Sequence, residues 1–168
     1  MKLKLAIMSL MLLLVGGMVA TGSAEETNAF QEILAHYEAM RLSLVNDSRT
    51  DVAEHAGAIV DRIHELAGDF DAEAAGVPEE KSAECETLLP EVASASAALA
   101  ETQSLDAARD ALFELSKPLG RYRKLAGIEG TMVVVCPMAK KAWIQPHGEI
   151  GNPYLGQEMP TCGERIAD

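Results

Sequence analysis

Residues 112–138 read LFELSKPLGRYRKLAGIEGTMVVVCPM, and within this stretch the hydrophobic period changes. Leu112, Leu115, Leu119 and Tyr122 recur every three or four positions, the spacing of one face of an α-helix. Gly127 is a natural helix stop. Beyond it the run Thr131-Met132-Val133-Val134-Val135 is β-branched and predicts a strand. A helical body therefore ends near residue 127, and a segment of different character follows it.

Upstream, the helical period continues. Phe30, Ile33, Leu34, Tyr37, Met40 and Leu44 predict an amphipathic helix over 28–44, with Asn28 and Gln31 spaced as a capping box. Val45-Asn46-Asp47-Ser48 breaks it. Val52, Ala56, Ile59, Ile63 and Leu66 mark a second helix across a short turn. After a connection over 68–78, a third helix is expected from about 79 to about 100. Its inward face carries Cys85, Leu88, Leu89, Val92 and Leu99, and a kink or break is expected at Pro90, because proline removes an interior hydrogen bond. Ser104 can cap a fourth helix whose stripe begins with Leu105 and Ala108. The expected fold is mainly α: an up-and-down antiparallel four-helix bundle over 25–127. A small loop-rich tail over 128–168, with one or two short strands, completes it, since Pro137, Pro146, Pro153 and Pro160 with Gly148, Gly156 and Gly163 forbid a long helix there.

The first residues have another purpose. Lys2 and Lys4 precede the apolar run Leu5–Val15, then Gly16-Gly17, then Gly22-Ser23-Ala24, the pattern of a secretory signal peptide cleaved after Ala24. The apolar core is shorter than the ~20 residues of a spanning helix, which argues against an uncleaved anchor and against stable membrane insertion after cleavage. Removing residues 1–24 leaves 144 residues with 12 basic against 26 acidic side chains, a formal charge of −14. That acidity argues against nucleic acid as a partner and mildly concentrates cations. The expected location is the periplasm or another exported compartment.

The tail holds the chemistry. Cys136-Pro137-Met138 and Met159-Pro160-Thr161-Cys162 place a thiol and a thioether close together twice, in mirrored order. Thiolate and thioether are soft donors that favour Cu(I) or Ag(I) over Zn²⁺. In an oxidising compartment the same cysteines could instead form a disulfide that pins the tail, with the methionines as packing. The residues alone leave both readings open.

The tail also resembles an uncharacterised family of exported bacterial domains, found alone or fused to the periplasmic adaptor subunit of copper and silver efflux pumps. The matching residues are Cys136-Pro137-Met138-Ala139, Trp143, Ile150-Gly151-Asn152-Pro153-Tyr154-Leu155-Gly156, Met159 and Cys162-Gly163-Glu164, with a weaker match at 112–119. The resemblance implies a helical bundle carrying a soft-metal tail, with Cys136, Met138, Met159 and Cys162 as ligands. It further implies an efflux-pump adaptor or another periplasmic copper protein as a partner. Lys140-Lys141 departs from the family pattern, and Gln145-Pro146-His147 has no counterpart in it, so His147 is expected to be a solvated loop histidine rather than a ligand.

Other residues carry weaker signals. Cys85 lies on an apolar helical face and is expected to be a buried free thiol. His36, His55 and His64 would cluster only if the first two helices pack in one register. Trp143 and Tyr154 either cover the site or form the small core of the tail. Arg121-Tyr122-Arg123-Lys124 falls in a last helical turn, where cations complement the dipole. No nucleophile with its base, no acid pair, no phosphate loop and no haem-attachment motif is present in the sequence, so enzymatic activity is not expected.

Overall fold

The first helix, α1 (Ala29–Val45), starts where the sequence places it. The Asn28 side chain accepts the Gln31 N–H at 3.0 Å, and the Gln31 side chain accepts the Asn28 N–H at 3.3 Å. This reciprocal box satisfies two donors that a helix start leaves orphaned. The structure, a computed structural model, describes residues 28–166. The signal segment expected over 1–24 and its cleavage point lie outside the described residues.

Four further helices follow among the described residues: α2 (Val52–Gly68), α3 (Ala72–Ala75), α4 (Ser82–Ala100) and α5 (Leu105–Ala126). The single turn α3 is an addition to the four helices expected. It forms inside the 68–78 connection because the Asp71 carboxylate accepts the Ala74 N–H at 2.7 Å and Gly76 closes the turn with a left-handed backbone, φ 72°. The N-terminus of α5 is capped by Ser104, whose hydroxyl accepts the Ala107 N–H at 3.1 Å. Its C-terminus is closed by Gly127 at φ 62°.

Of the kink or break expected at Pro90, the break is not found, since α4 runs through it. Its ring lies on the solvent side, while Leu88, Leu89 and Val92 beside it are buried. Each fully buried aliphatic side chain stabilises by about 1.5–3 kcal/mol, and together they outweigh the ~3 kcal/mol that an interior proline costs.

The long helices pack α1 on α2, α2 on α4, α4 on α5 and α5 on α1. Ile33, Tyr37, Ile59, Ile63, Leu112 and Leu115, the residues named from the apolar stripes, are all buried. Leu112→Ala is therefore expected to lower the unfolding free energy by ~2–5 kcal/mol, measured by urea denaturation. A loss within error of zero would show that the α5 face is misassigned.

The tail forms an antiparallel sheet of three strands, β1 (Thr131–Cys136), β2 (Lys141–Pro146) and β3 (Glu164–Ile166), in the order β2-β1-β3. Along β1 burial alternates strictly, with Met132, Val134 and Cys136 inward. The sheet is tied to the helices by polar contacts at both ends. Arg123 donates to the Thr131 hydroxyl at 2.7 Å and to its carbonyl at 2.9 Å, fixing the start of β1 to the end of α5. The buried Tyr37 hydroxyl sits 2.6 Å from the Ser116 hydroxyl and accepts the Ile144 N–H at 3.3 Å, joining α1, α5 and β2. Burial pushes the Tyr37 phenol up to about 12, so it remains a neutral hydrogen-bonding group.

Candidate metal centre

Two loops bring the sulfurs together. Cys136 ends β1, and Pro137-Met138-Ala139-Lys140 turns the chain into β2, closed by the Lys140 N–H donating to the Cys136 carbonyl at 2.8 Å. Cys162 ends the second loop, where its N–H donates to the Met159 carbonyl at 3.1 Å. The two Sγ atoms lie 3.0 Å apart. Both cysteines are free thiols, Cys136 buried and Cys162 half-buried.

The turn after Cys136 is arranged to favour its thiolate. Burial opposes ionisation, but hydrogen bonds from Cys162, the Ala139 N–H, the Asn152 side chain and the Met138 N–H outweigh it, and Cys136 is held below the ordinary thiol range. The Ala139 N–H stands 3.4 Å from its sulfur. Cys162 is displaced the other way. Its hydrogen bond to Cys136, desolvation and the charge on Cys136 push it up. The pair therefore loses its first proton readily and its second with difficulty, as two groups sharing one proton do.

The thioethers are placed differently from the thiols. The Met138 backbone N–H faces both cysteine sulfurs, and the Met159 carbonyl holds the Cys162 N–H. The side chains themselves stand in solvent, 68 % exposed for Met138 and 41 % for Met159. Of the four residues named from the sequence, the structure thus brings the two cysteines into contact and leaves the two methionines on the flanking loops.

Asn152 organises both loops, a role that the sequence reading left unassigned. It is fully buried. Its side-chain carbonyl accepts the N–H groups of Tyr154 at 2.8 Å and Leu155 at 3.0 Å, its amide donates to the Cys162 carbonyl at 2.6 Å, and its own N–H donates to the Pro160 carbonyl at 2.8 Å. The N-P-Y motif was the available signal, since an asparagine before proline favours a turn in which its side chain serves the next backbone groups. Arg41 and Arg109 anchor the same loop to the helices, donating to the carbonyls of Gly151 at 2.6 Å and Pro153 at 2.9 Å.

Trp143 and Tyr154 form the core of the tail. Trp143 is fully buried, its N–H donates to the Gln145 side chain at 2.9 Å, and its ring meets Tyr154 edge-on with centroids 5.7 Å apart. The Trp143 ring also supports the strand that follows Cys162. A Cβ on Gly163 would lie 2.7 Å from the Val134 side chain and 2.8 Å from the Trp143 ring. Both neighbours are fully buried. Gly163→Ala is expected to cost about 1–3 kcal/mol by overpacking, read as a lowered denaturation midpoint, and to separate the two sulfurs. Wild-type stability in this variant would refute the close packing.

The remaining candidates lie elsewhere. His147 is exposed at the far end of the sheet, its Nε2 3.0 Å from the Thr131 carbonyl. Thr131 and Cys136 are the two ends of β1, some ~17 Å apart at strand spacing, so His147 is remote from the sulfurs. Cys85 is buried between helices, and burial pushes its thiol up to about 11 despite a hydrogen bond with Tyr122. A colorimetric thiol titration of the reduced native protein should therefore miss Cys85 and count it only after unfolding. Rapid modification of all three thiols in the folded protein would contradict this burial. Within the basic stretch, Arg121 pairs with Glu91 at 2.7 Å and Arg123 with Thr131, so these residues serve the fold. Among the described residues no helix is long and apolar enough to cross a membrane, and no group of three or more His, Cys, Asp or Glu side chains gathers as a metal cage. Comparison with protein-family models, with curated proteins and with solved structures gave no match.

Proposed function

We propose that this is an exported soft-metal-binding protein that holds one Cu(I) or Ag(I) ion on the Cys136 and Cys162 sulfurs, with the Met138 and Met159 thioethers completing the donor set. The reading rests on one observation above others: two sulfurs 3.0 Å apart, with backbone N–H groups turned toward them. Two thiolates and two thioethers make a low-charge, polarisable set suited to a monovalent soft ion. Exposure of the methionines suits this role, because they are free to swing onto an arriving ion and to hand it on. The likeness of the tail to domains of copper and silver efflux suggests an efflux-pump adaptor or another periplasmic copper protein as the recipient. The four long helices act as the scaffold, in our reading an up-and-down antiparallel four-helix bundle. The protein's task is binding rather than catalysis.

A second reading is carried by the same distance. Two sulfurs bound to one ion at bond lengths near 2.3 Å stand about 3.8 Å apart, whereas a disulfide brings them to about 2.0 Å. The observed separation lies between these, so the pair can open for an ion or close on oxidation. In the closed form the tail is a disulfide-pinned module whose helical face binds a partner. Anaerobic Cu(I) titration of the reduced protein decides between the two. One ion per chain, lost in the Cys136→Ser, Cys162→Ser double variant, supports the metal reading. Uptake no greater than that of the double variant rejects it in favour of the disulfide module.

A further inference from the structure

A second pair of soft-to-borderline donors lies away from the tail, between the first two helices. His36 on α1 and His55 on α2 face one another with their Nδ1 atoms 3.0 Å apart and ring centroids 5.3 Å apart. Both rings are half-buried. Neither has another hydrogen-bond partner among the described residues. The nearest ionic link between these helices is already closed, since the Glu32 carboxylate accepts from Arg62 at 2.5 Å. His64 takes no part. It lies nine residues beyond His55 on α2, two and a half turns on and so on the opposite side of the helix, and it is exposed.

Two facing Nδ1 atoms cannot both carry a proton at this distance, nor can both accept. One ring must hold its proton on Nδ1 and donate to the other. A metal ion removes that constraint. If the donor ring moves its proton to Nε2, both Nδ1 lone pairs point into the same gap and no net proton is lost. Two imidazole nitrogens bound to one ion at ~2.0–2.1 Å stand about 2.9 Å apart when cis at a right angle and about 3.4 Å apart in a tetrahedron. The observed 3.0 Å, an ordinary length for the hydrogen bond between the rings, also falls within that range, so the two nitrogens already stand at ligand spacing.

We propose that His36 and His55 form a metal site for a borderline divalent ion, Cu(II) foremost, with water filling the remaining positions. Imidazole suits Cu(II), Ni(II) and Zn(II), and affinity rises to Cu(II) along the first-row series. The formal charge of −12 raises the local concentration of any such cation. No third His, Cys, Asp or Glu joins the pair among the described residues, so the site is open and exchangeable rather than a closed structural cage. It does not depend on the reading of the tail.

The test uses Cu(II) itself as the probe, added to untagged protein carrying Cys136→Ser and Cys162→Ser, so that tail thiols neither bind nor reduce it. Pulsed EPR of this parent should count two coordinated imidazoles. His36→Gln and His55→Gln, each introduced into the parent, should weaken Cu(II) binding at least about tenfold, as loss of a ligand must exceed loss of an outer partner. His64→Gln should leave it unchanged. Circular dichroism establishes that each variant is folded, and the imidazole count of the parent is informative whether or not they are. A count of zero or one, or equal Cu(II) binding in all variants through surface carboxylates, overturns the proposal. Failure here leaves Cu(I) titration of the unsubstituted tail unaffected, so the two sites are judged separately.

Discussion

Cys136→Ser is expected to weaken Cu(I) binding on the order of a thousandfold, measured by anaerobic competition with a chromogenic Cu(I) chelator. Structural sites of four protein ligands are worth about 10–16 kcal/mol, so one thiolate carries roughly 3–4 kcal/mol, and each 1.4 kcal/mol is tenfold. Cys162→Ser should be nearly as severe, while Met138→Leu and Met159→Leu should mainly relax the preference over Zn²⁺. The pH dependence follows from the opposite displacement of the two thiols. Protons compete for the thiolates, so affinity must fall as pH falls. Between the Cys136 value, below the ordinary thiol range, and the Cys162 value, above it, one proton is released per ion and affinity should change about tenfold per pH unit. Below both values two protons are released and the dependence doubles. An affinity independent of pH, or unaltered by Cys136→Ser, would rule out thiolate coordination.

Asn152→Ala should be the most damaging single change in the tail. It strands two N–H groups, of Tyr154 and Leu155, and the Cys162 carbonyl, all held by one buried side chain. An unsatisfied buried group costs about 1–3 kcal/mol, so a loss of roughly 3 kcal/mol or more is expected in urea denaturation. The variant also removes one of the hydrogen bonds that hold Cys136 below the ordinary thiol range, so its titration, followed by thiolate ultraviolet absorbance, should move upward. Asn152→Asp keeps the acceptor but loses the donor to Cys162, and should be intermediate. An unchanged midpoint and an unchanged thiol titration in Asn152→Ala would refute the organising role.

The helices were legible because their signals are local. The Asn28 and Gln31 box, the Ser104 cap, the Gly127 stop and the apolar stripes each lie within a few residues of what they specify. At Pro90 the cost is local, whereas the burial of Leu88, Leu89 and Val92 that keeps the helix continuous is tertiary. β3 was not foreseen as a third strand. Glu164, Arg165 and Ile166 are exposed and do not alternate, and they form a strand only because the edge of β1 is there to pair with. In the candidate centre the cysteines were legible as soft donors. Arg41 and Arg109 were not, because each acts on a backbone carbonyl that the fold brings to it from distant sequence, whereas at Asn152 the N-P-Y motif signals the local turn and leaves out its reach to Cys162.

The Tyr37 hydroxyl, shared with Ser116 and Ile144, joins elements that lie far apart in sequence. It links α1 to a strand more than a hundred residues later, and Arg41 reaches as far to Gly151. Contacts of such long span form slowly, since the entropy of closing the loop is lost before any contact compensates it. The helices, whose contacts are nearer in sequence, can dock first, and the sheet closes onto a surface that already exists. The two sulfurs, only 26 residues apart, close a far shorter loop of their own within the tail. A product truncated between Cys136 and Cys162 retains Cys136 without its partner sulfur.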